Sequence, residues 1–239
     1  MSSVNVGRTT LVALFVTALV TAQLTATKVL AVGLPAELPL VGAALFVPGG
    51  VLAYALTFFA TDCYAELYGR KEATALVNVG FVMLFVMLGL VYFAIAAPAA
   101  PPALTVDPGQ FETVLSSSAN IVAGGLLAYL VSQNLDVYVF HRIREATAGR
   151  HLWLRNVGST GTSQLVDSFI FIYVGFGVAP AVLQGAPFPP VGQLAALVVG
   201  QYLVKLLIAV GDTPFVYAVV RYLRETEFAG RRAAASVRE

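Results

Sequence analysis

Four pairs of polar side chains recur at helical spacing within apolar sequence. They are Asp62 with Glu66 in TFFATDCYAELYGR, Gln133 with Asp136 in VSQNLDVYVF, Gln164 with Asp167 in GSTGTSQLVDSFIF, and Gln201 with Lys205 in VVGQYLVKLLIAV. Residues three or four apart share one face of a helix, so each pair would form a polar stripe. Asn134 adds a further amide beside the second pair. Amides and carboxylates together suit a planar heterocycle that carries both donors and acceptors. A carboxylate accepts two hydrogen bonds from adjacent N–H and amino groups, and Asn or Gln offers one group of each kind. Aromatic rings add a stacking face worth about 1–3 kcal/mol for a nucleobase. Tyr54, Phe58, Phe59, Tyr64, Tyr138, Phe169, Phe171, Tyr202 and Phe215 are candidates for it.

Covalent chemistry finds less support. The run GSTGTS (158–163) offers serines, but a nucleophile elbow needs Gly-x-Ser-x-Gly at a strand-to-helix turn. His141 and His151 lie among arginines, where solvated loop histidines are expected. No Walker A motif is present, so ATP hydrolysis by that route is excluded. The single cysteine, Cys63, rules out an internal disulfide and any multi-cysteine metal site. It reads as a small packed apolar residue. The expectation is a protein that is not an enzyme and uses no cofactor or metal.

The polar pairs need elements to hold them, and composition names the medium. The chain has 239 residues, 58% of them apolar and 11% charged, with a mean hydropathy of +0.82. Soluble domains run at about 25% charged, so the shortage of charge decides the class. A membrane-spanning helix needs roughly 20 mostly apolar residues. Six such spans are read, at about 9–32, 48–69, 73–97, 117–142, 157–180 and 193–223, with 224–239 as a tail. The fold class is therefore all-α integral membrane, in one domain over residues 1–239. The Pro-rich stretches 96–112 and 184–192 cannot continue a helix. Residues 33–50 suit a short hairpin, a re-entrant piece or an ordinary loop. Span one is expected to stay in the protein, because its apolar run exceeds a signal-peptide core.

Lys and Arg set the orientation. Arg8 precedes span one, Arg70 and Lys71 separate spans two and three, and Arg142, Arg144, Arg150 and Arg155 separate spans four and five. Arg221, Arg224, Arg231, Arg232 and Arg238 follow span six. The opposite loops carry none, so both termini are expected on the cytoplasmic side. Three spans per half would make the halves inverted. VTALVTAQLTATKVLAV in span one and GGLLAYLVSQNLDVYVF in span four each set an amide in an apolar helix, which fits an inverted three-plus-three repeat.

Lys28 and Lys205 are the basic residues that topology leaves over. A charge at a helix centre costs at least about 2.5–3.5 kcal/mol on insertion, so it usually faces a bundle interior and acts there. Asp167 and Lys205 both fall near midplane, and an ion pair between them is expected. Glu66 is close enough to the surface to pair with Arg70 four residues on. Asp212, ahead of Thr213 and Pro214, suits a cap at a helix break. Gln23 suits a bridge between helices, and Lys28 suits snorkelling to the interface.

The segments FFATDCYAELYGRKEA, QNLDVYVFHRIREATAGRHLWLRN, STGTSQLVDSFIFIYVGF and YLVKLLIAV, in that order, resemble the queuosine precursor transporter family, also called a vitamin uptake transporter family. The resemblance runs from span two to span six. It implies a six-helix inner-membrane importer of deazaguanine bases, the cyano- and aminomethyl-deazaguanine precursors of queuosine and, in archaea, of archaeosine. The family's pattern falls on Asp62, Gln133, Asp136, Trp153, Ser159, Thr160, Gln164, Asp167 and Lys205. It does not fix Lys28, Glu66 or Asp212.

The expected function is import of a purine-like base across the cytoplasmic membrane, with Asp62, Gln133, Asn134, Asp136, Gln164, Asp167, Gln201 and Lys205 as substrate-binding residues. The partners expected are the small-molecule nucleobase and the lipid bilayer, with no nucleic acid; the sequence sets no oligomeric state. A net charge of +1 gives no electrostatic pull on nucleic acid. The alternative is a substrate-capturing subunit of a multi-subunit vitamin importer that depends on separate ATPase partners. An intramembrane hydrolase built on Ser159 or Ser163 is a third reading.

Overall fold

The computed structural model describes residues 6–38, 42–101, 104–148 and 152–236. Helix α1 (Val6–Thr25) is mostly apolar and has no distinct polar face, as suits a helix surrounded by other helices and lipid. Two of its threonines are satisfied locally: Thr21 and Thr25 donate to the carbonyls of Thr17 and Thr21. The helix stops at Thr25, short of the expected 32. Strand β1 (Val29–Leu38) follows and pairs antiparallel with β2 (Gly42–Pro48), from Val29 opposite Pro48 to Leu38 opposite Gly42. The described residues are otherwise mostly helical, consistent with the all-α expectation, and a hairpin is one of the forms expected for residues 33–50. The β-branched Val29 and Val32 and the helix-breaking Gly33 and Pro35 favour extended chain there. Leu45 and Val47 of β2 are buried, and the strand packs on α8 (Val191–Gly211).

Helix α2 (Val51–Tyr68) and helix α3 (Arg70–Ala96) are separated by Gly69 at φ 92°, a left-handed conformation that glycine adopts without a Cβ clash. Helix α4 (Pro108–Ser116) is short. Its cap is Asp107, whose carboxylate accepts from the Gln110 N–H at 2.9 Å, with proline at the first turn. Helix α5 (Ser118–Ala146) packs most extensively against α6 (Leu152–Ile172). A π-helical stretch, Tyr173–Val178, then leads into α7 (Ala179–Gln184). At the stretch, Gly175 lies directly against Gly124 of α5, where a Cβ on Gly124 would come within 2.7 Å of the Gly175 nitrogen.

The last expected span, 193–223, is two helices. Helix α8 ends at Gly211 and α9 (Thr213–Ser236) begins after Asp212. The break is capped through the backbone: the Asp212 carbonyl accepts from the N–H groups of Phe215 and Val216. Residues 224–236, expected as a tail, continue α9.

Among the described residues, five helical stretches are long and apolar enough to cross a membrane: Val6–Thr25, Arg70–Ala96, Pro108–Ile143, Gly158–Gln184 and Val191–Gly211. Helix α2, the expected second span, is not among them; its 18 residues include Asp62 and Glu66.

Two ion pairs tie one end of the bundle. Arg8 meets Glu72 at 2.7 Å, and Arg224 meets Glu66 at 2.8 Å. The starts of α1 and α3, the end of α2 and the middle of α9 therefore share that end. Glu66 does not pair with Arg70 as expected. The break at Gly69 puts Arg70 at the start of a new helix, so four-residue helical spacing no longer brings the two together. The main core lies between α1, α2 and α3, around Leu11, Phe15, Leu19, Ala60, Cys63, Tyr64, Leu76 and Leu84. Cys63 is fully buried there.

Candidate functional site

Helix α6 presents Asp167 toward α5 and α8. Its Oδ2 forms an ion pair with the Nζ of Lys205, and its Oδ1 accepts the Ser132 hydroxyl at 3.2 Å. The Lys205 and Asp167 side chains are 5% and 12% exposed. Lys205 Nζ also lies 5.5 Å from the centre of the Tyr54 ring, within reach of a cation–π attraction. A buried ion pair is weak evidence for stability, because desolving both charges offsets their attraction. An ionisable pair at this depth marks a candidate site.

One turn away, the α5–α6 contact repeats with the roles exchanged. The Ser163 hydroxyl of α6 donates to Asp136 Oδ1 of α5 at 3.1 Å. The sequence carries the reason: SQNLD (132–136) and SQLVD (163–167) share the pattern Ser-Gln-x-x-Asp. Serine and aspartate four residues apart lie on one face, so two antiparallel copies cross-bond twice.

The ion pair opens on a cavity of about 70 Å³, room for several water molecules. Helices α1, α2, α3, α5, α6 and α8 all contribute to its wall, and Pro48 at the end of β2 closes part of it. The wall is mostly apolar and aromatic, with Tyr54, Phe58, Phe81, Tyr129 and Phe171. Polar lining comes from Gln23, Asp167, Gln201 and Lys205. Measured along α1, Gln23 lies roughly 20 Å from Arg8 at the charged end.

The structure thus brings together Asp167, Gln201 and Lys205, and the expected Asp167–Lys205 pair forms. The other expected residues do not line this cavity. Gln133 and Asn134 are exposed on α5, and the Asn134 amide donates to its own helix at Leu130 (2.6 Å). Asp136 is half-buried against Ser163. Gln164 is half-buried, and its Oε1 has no hydrogen-bond partner among the described residues. Asp62 is exposed on α2. Ser159 is buried, Thr160 is exposed, and Trp153 lies in the first turn of α6. Arg150, His151 and Arg238 lie outside the described residues. Polar and aromatic cavity-lining residues that sequence reasoning missed are Gln23, read there as a helix bridge, Phe81 and Tyr129. The Ser-Gln-x-x-Asp repeat is the signal that points to Ser132 and Ser163 as carboxylate partners.

The family model described as "Putative vitamin uptake transporter" matches residues 48–219. The chain belongs to the vitamin uptake transporter family. A curated relative from Bacillus subtilis (strain 168), named "Probable queuosine precursor transporter", is 36% identical over 184 residues, covering 74% of this chain and 73% of its own. A second of the same name, from Haemophilus influenzae (strain ATCC 51907 / DSM 11121 / KW20 / Rd), is 26% identical over 53% of this chain and 51% of its own. The "Queuosine precursor transporter" of Escherichia coli (strain K12) is 24% identical over 55% and 56%. No solved structure matches the chain. As a vitamin uptake transporter family member with multiple apolar helices, the protein is a multi-pass membrane transporter and not an enzyme.

Proposed function

We propose that the protein imports queuosine precursors, as deazaguanine bases, across the cytoplasmic membrane. The observation that carries this reading is the buried Asp167–Lys205 pair at an aromatic-walled cavity where six helices converge. The names of the relatives supply the substrate class. A flat ring fits aromatic walls by stacking. Its N–H groups compete with Lys205 for Asp167, so binding loosens the ion pair that holds α6 to α8. Admitting a ring needs the cavity to widen, which a carrier does as it changes the side it opens to.

The whole chain acts as one six-span unit, with α2 as the sixth span despite its carboxylates. The ends of α1, α2, α3 and α9 that carry Arg8, Glu66, Glu72 and Arg224 face the cytoplasm, in line with the positive-inside rule. No ATPase motif lies in the chain, so a gradient or facilitated exchange drives uptake.

The test is rescue in a strain that cannot make deazaguanines. With precursor fed in the medium, expression of this chain is expected to restore queuosine in tRNA. Asp167→Asn is expected to abolish the rescue while the protein still reaches the membrane. Full rescue by Asp167→Asn, or none by the unaltered chain, refutes the reading.

A further inference from the structure

Two amides in the cavity have acceptors that the protein leaves unused. Gln23 on α1 and Gln201 on α8 are each 6% exposed and line the same cavity. Neither Oε1 has a hydrogen-bond partner among the described residues. An unmet buried carbonyl is unfavourable, and it is most simply kept where a ligand meets it.

Both side chains also stand beside the two glycine contacts where an added Cβ would meet backbone most closely. Gln23 follows Ala22, whose carbonyl leaves no room for a Cβ on Gly50 at the start of α2. Gln201 follows Gly200, where a Cβ would collide with the Phe46 carbonyl of β2. Glycine at each contact lets two backbones touch, and close backbone contact fixes where the neighbouring side chain starts. A recognition group must be held within a fraction of an ångström to discriminate. Gln23 and Gln201 each stand beside such a contact at the cavity wall, α1 supplying one and α8 the other.

We propose that Gln23 and Gln201 are specificity-determining residues that accept hydrogen bonds from the N–H and amino groups of the transported ring. Asp167 is already engaged by Lys205 and Ser132, so the amides are the acceptors free for a ligand from the outset. They select rings that carry an exocyclic amine over rings of the same shape that lack it. This rests on the reading of the protein as a queuosine-precursor carrier.

The test uses the full-length protein purified in detergent, with binding of two probes measured by calorimetry: 7-aminomethyl-7-deazaguanine and the same ring without its 2-amino group. The wild type is expected to bind the aminated ring at least about tenfold more tightly, the effect of losing donors opposite buried acceptors. Gln23→Met and Gln201→Met keep side-chain length and remove the acceptor, and each is expected to erode that preference. Equal affinity of the wild type for both rings overturns the proposal without any variant. So does retention of the wild-type preference in both Met variants. Either result leaves the carrier reading standing, whereas a wild type that binds neither ring overturns both.

Discussion

Asp136 and Asp167 stand on neighbouring antiparallel helices, and each accepts a hydroxyl from the serine four residues before the other. The two contacts are chemically alike but electrostatically different. Asp167 is neutralised by Lys205 in the interior, whereas Asp136 is half-buried and has Ser163 as its side-chain hydrogen-bond partner. One copy of the motif thus puts its aspartate at the cavity wall, and the other joins α5 to α6 away from it.

Removing the serines is expected to separate these roles. Ser163→Ala should lower stability by about 1 kcal/mol, the ordinary worth of one such hydrogen bond, and leave uptake close to normal. Ser132→Ala should cost a similar amount in stability and also weaken uptake, because it alters a ligand of Asp167. Thermal melting and uptake of labelled precursor in cells report the two effects, and equal uptake by both variants would contradict the division.

Lys205→Met leaves a buried carboxylate without its counter-charge. Breaking one partner of a buried pair typically costs about 3–5 kcal/mol, so a sharp fall in melting temperature is expected. The double replacement Lys205→Met with Asp167→Leu removes both charges and should recover most of that stability. It should not recover uptake. Recovery of uptake by the double variant would show that the pair is structural only.

The hairpin's seat on α8 can be probed at Gly200. Gly200→Ala places a Cβ against the Phe46 carbonyl, and overpacking of this kind costs about 1–3 kcal/mol. Gly192→Ala in the same helix meets no atom within 4 Å and is expected to be neutral or slightly stabilising, since alanine favours helix over glycine. Similar melting temperatures for the two variants would place the hairpin elsewhere.

At the charged end, Arg224→Glu faces Glu66 and is expected to lower stability by up to about 1 kcal/mol, an effect that fades with added salt. Pairing it with Glu66→Arg should restore the loss. Arg70→Ala should change nothing measurable, because α2 has ended before it. A loss from Arg70→Ala matching that from Arg224→Glu would revive the expected local pair.

Much of this protein was legible residue by residue. Hydropathy over a window of about 20 residues locates a span whatever lies beside it, and five of the six expected spans recur as apolar helices. The cost of burying a charge is likewise local. It singled out Asp167 and Lys205, which the fold then paired. The motifs quoted from spans two to six carried the family resemblance, which the matched relatives bear out.

What the chain alone did not decide is which way each polar face turns. Gln133 and Gln201 look equivalent in sequence, yet Gln133 is exposed and Gln201 lines the cavity. That difference follows from the rotation of α5 and α8 about their axes, which is set by packing against other helices. Gln23 joins the cavity because Gly50 lets α2 approach α1, and Gln201 because Gly200 lets β2 approach α8. The turn at Gly69 likewise sent Glu66 to Arg224, 158 residues away in sequence. Periodicity fixes which residues share a face; only contacts between distant segments choose what that face meets.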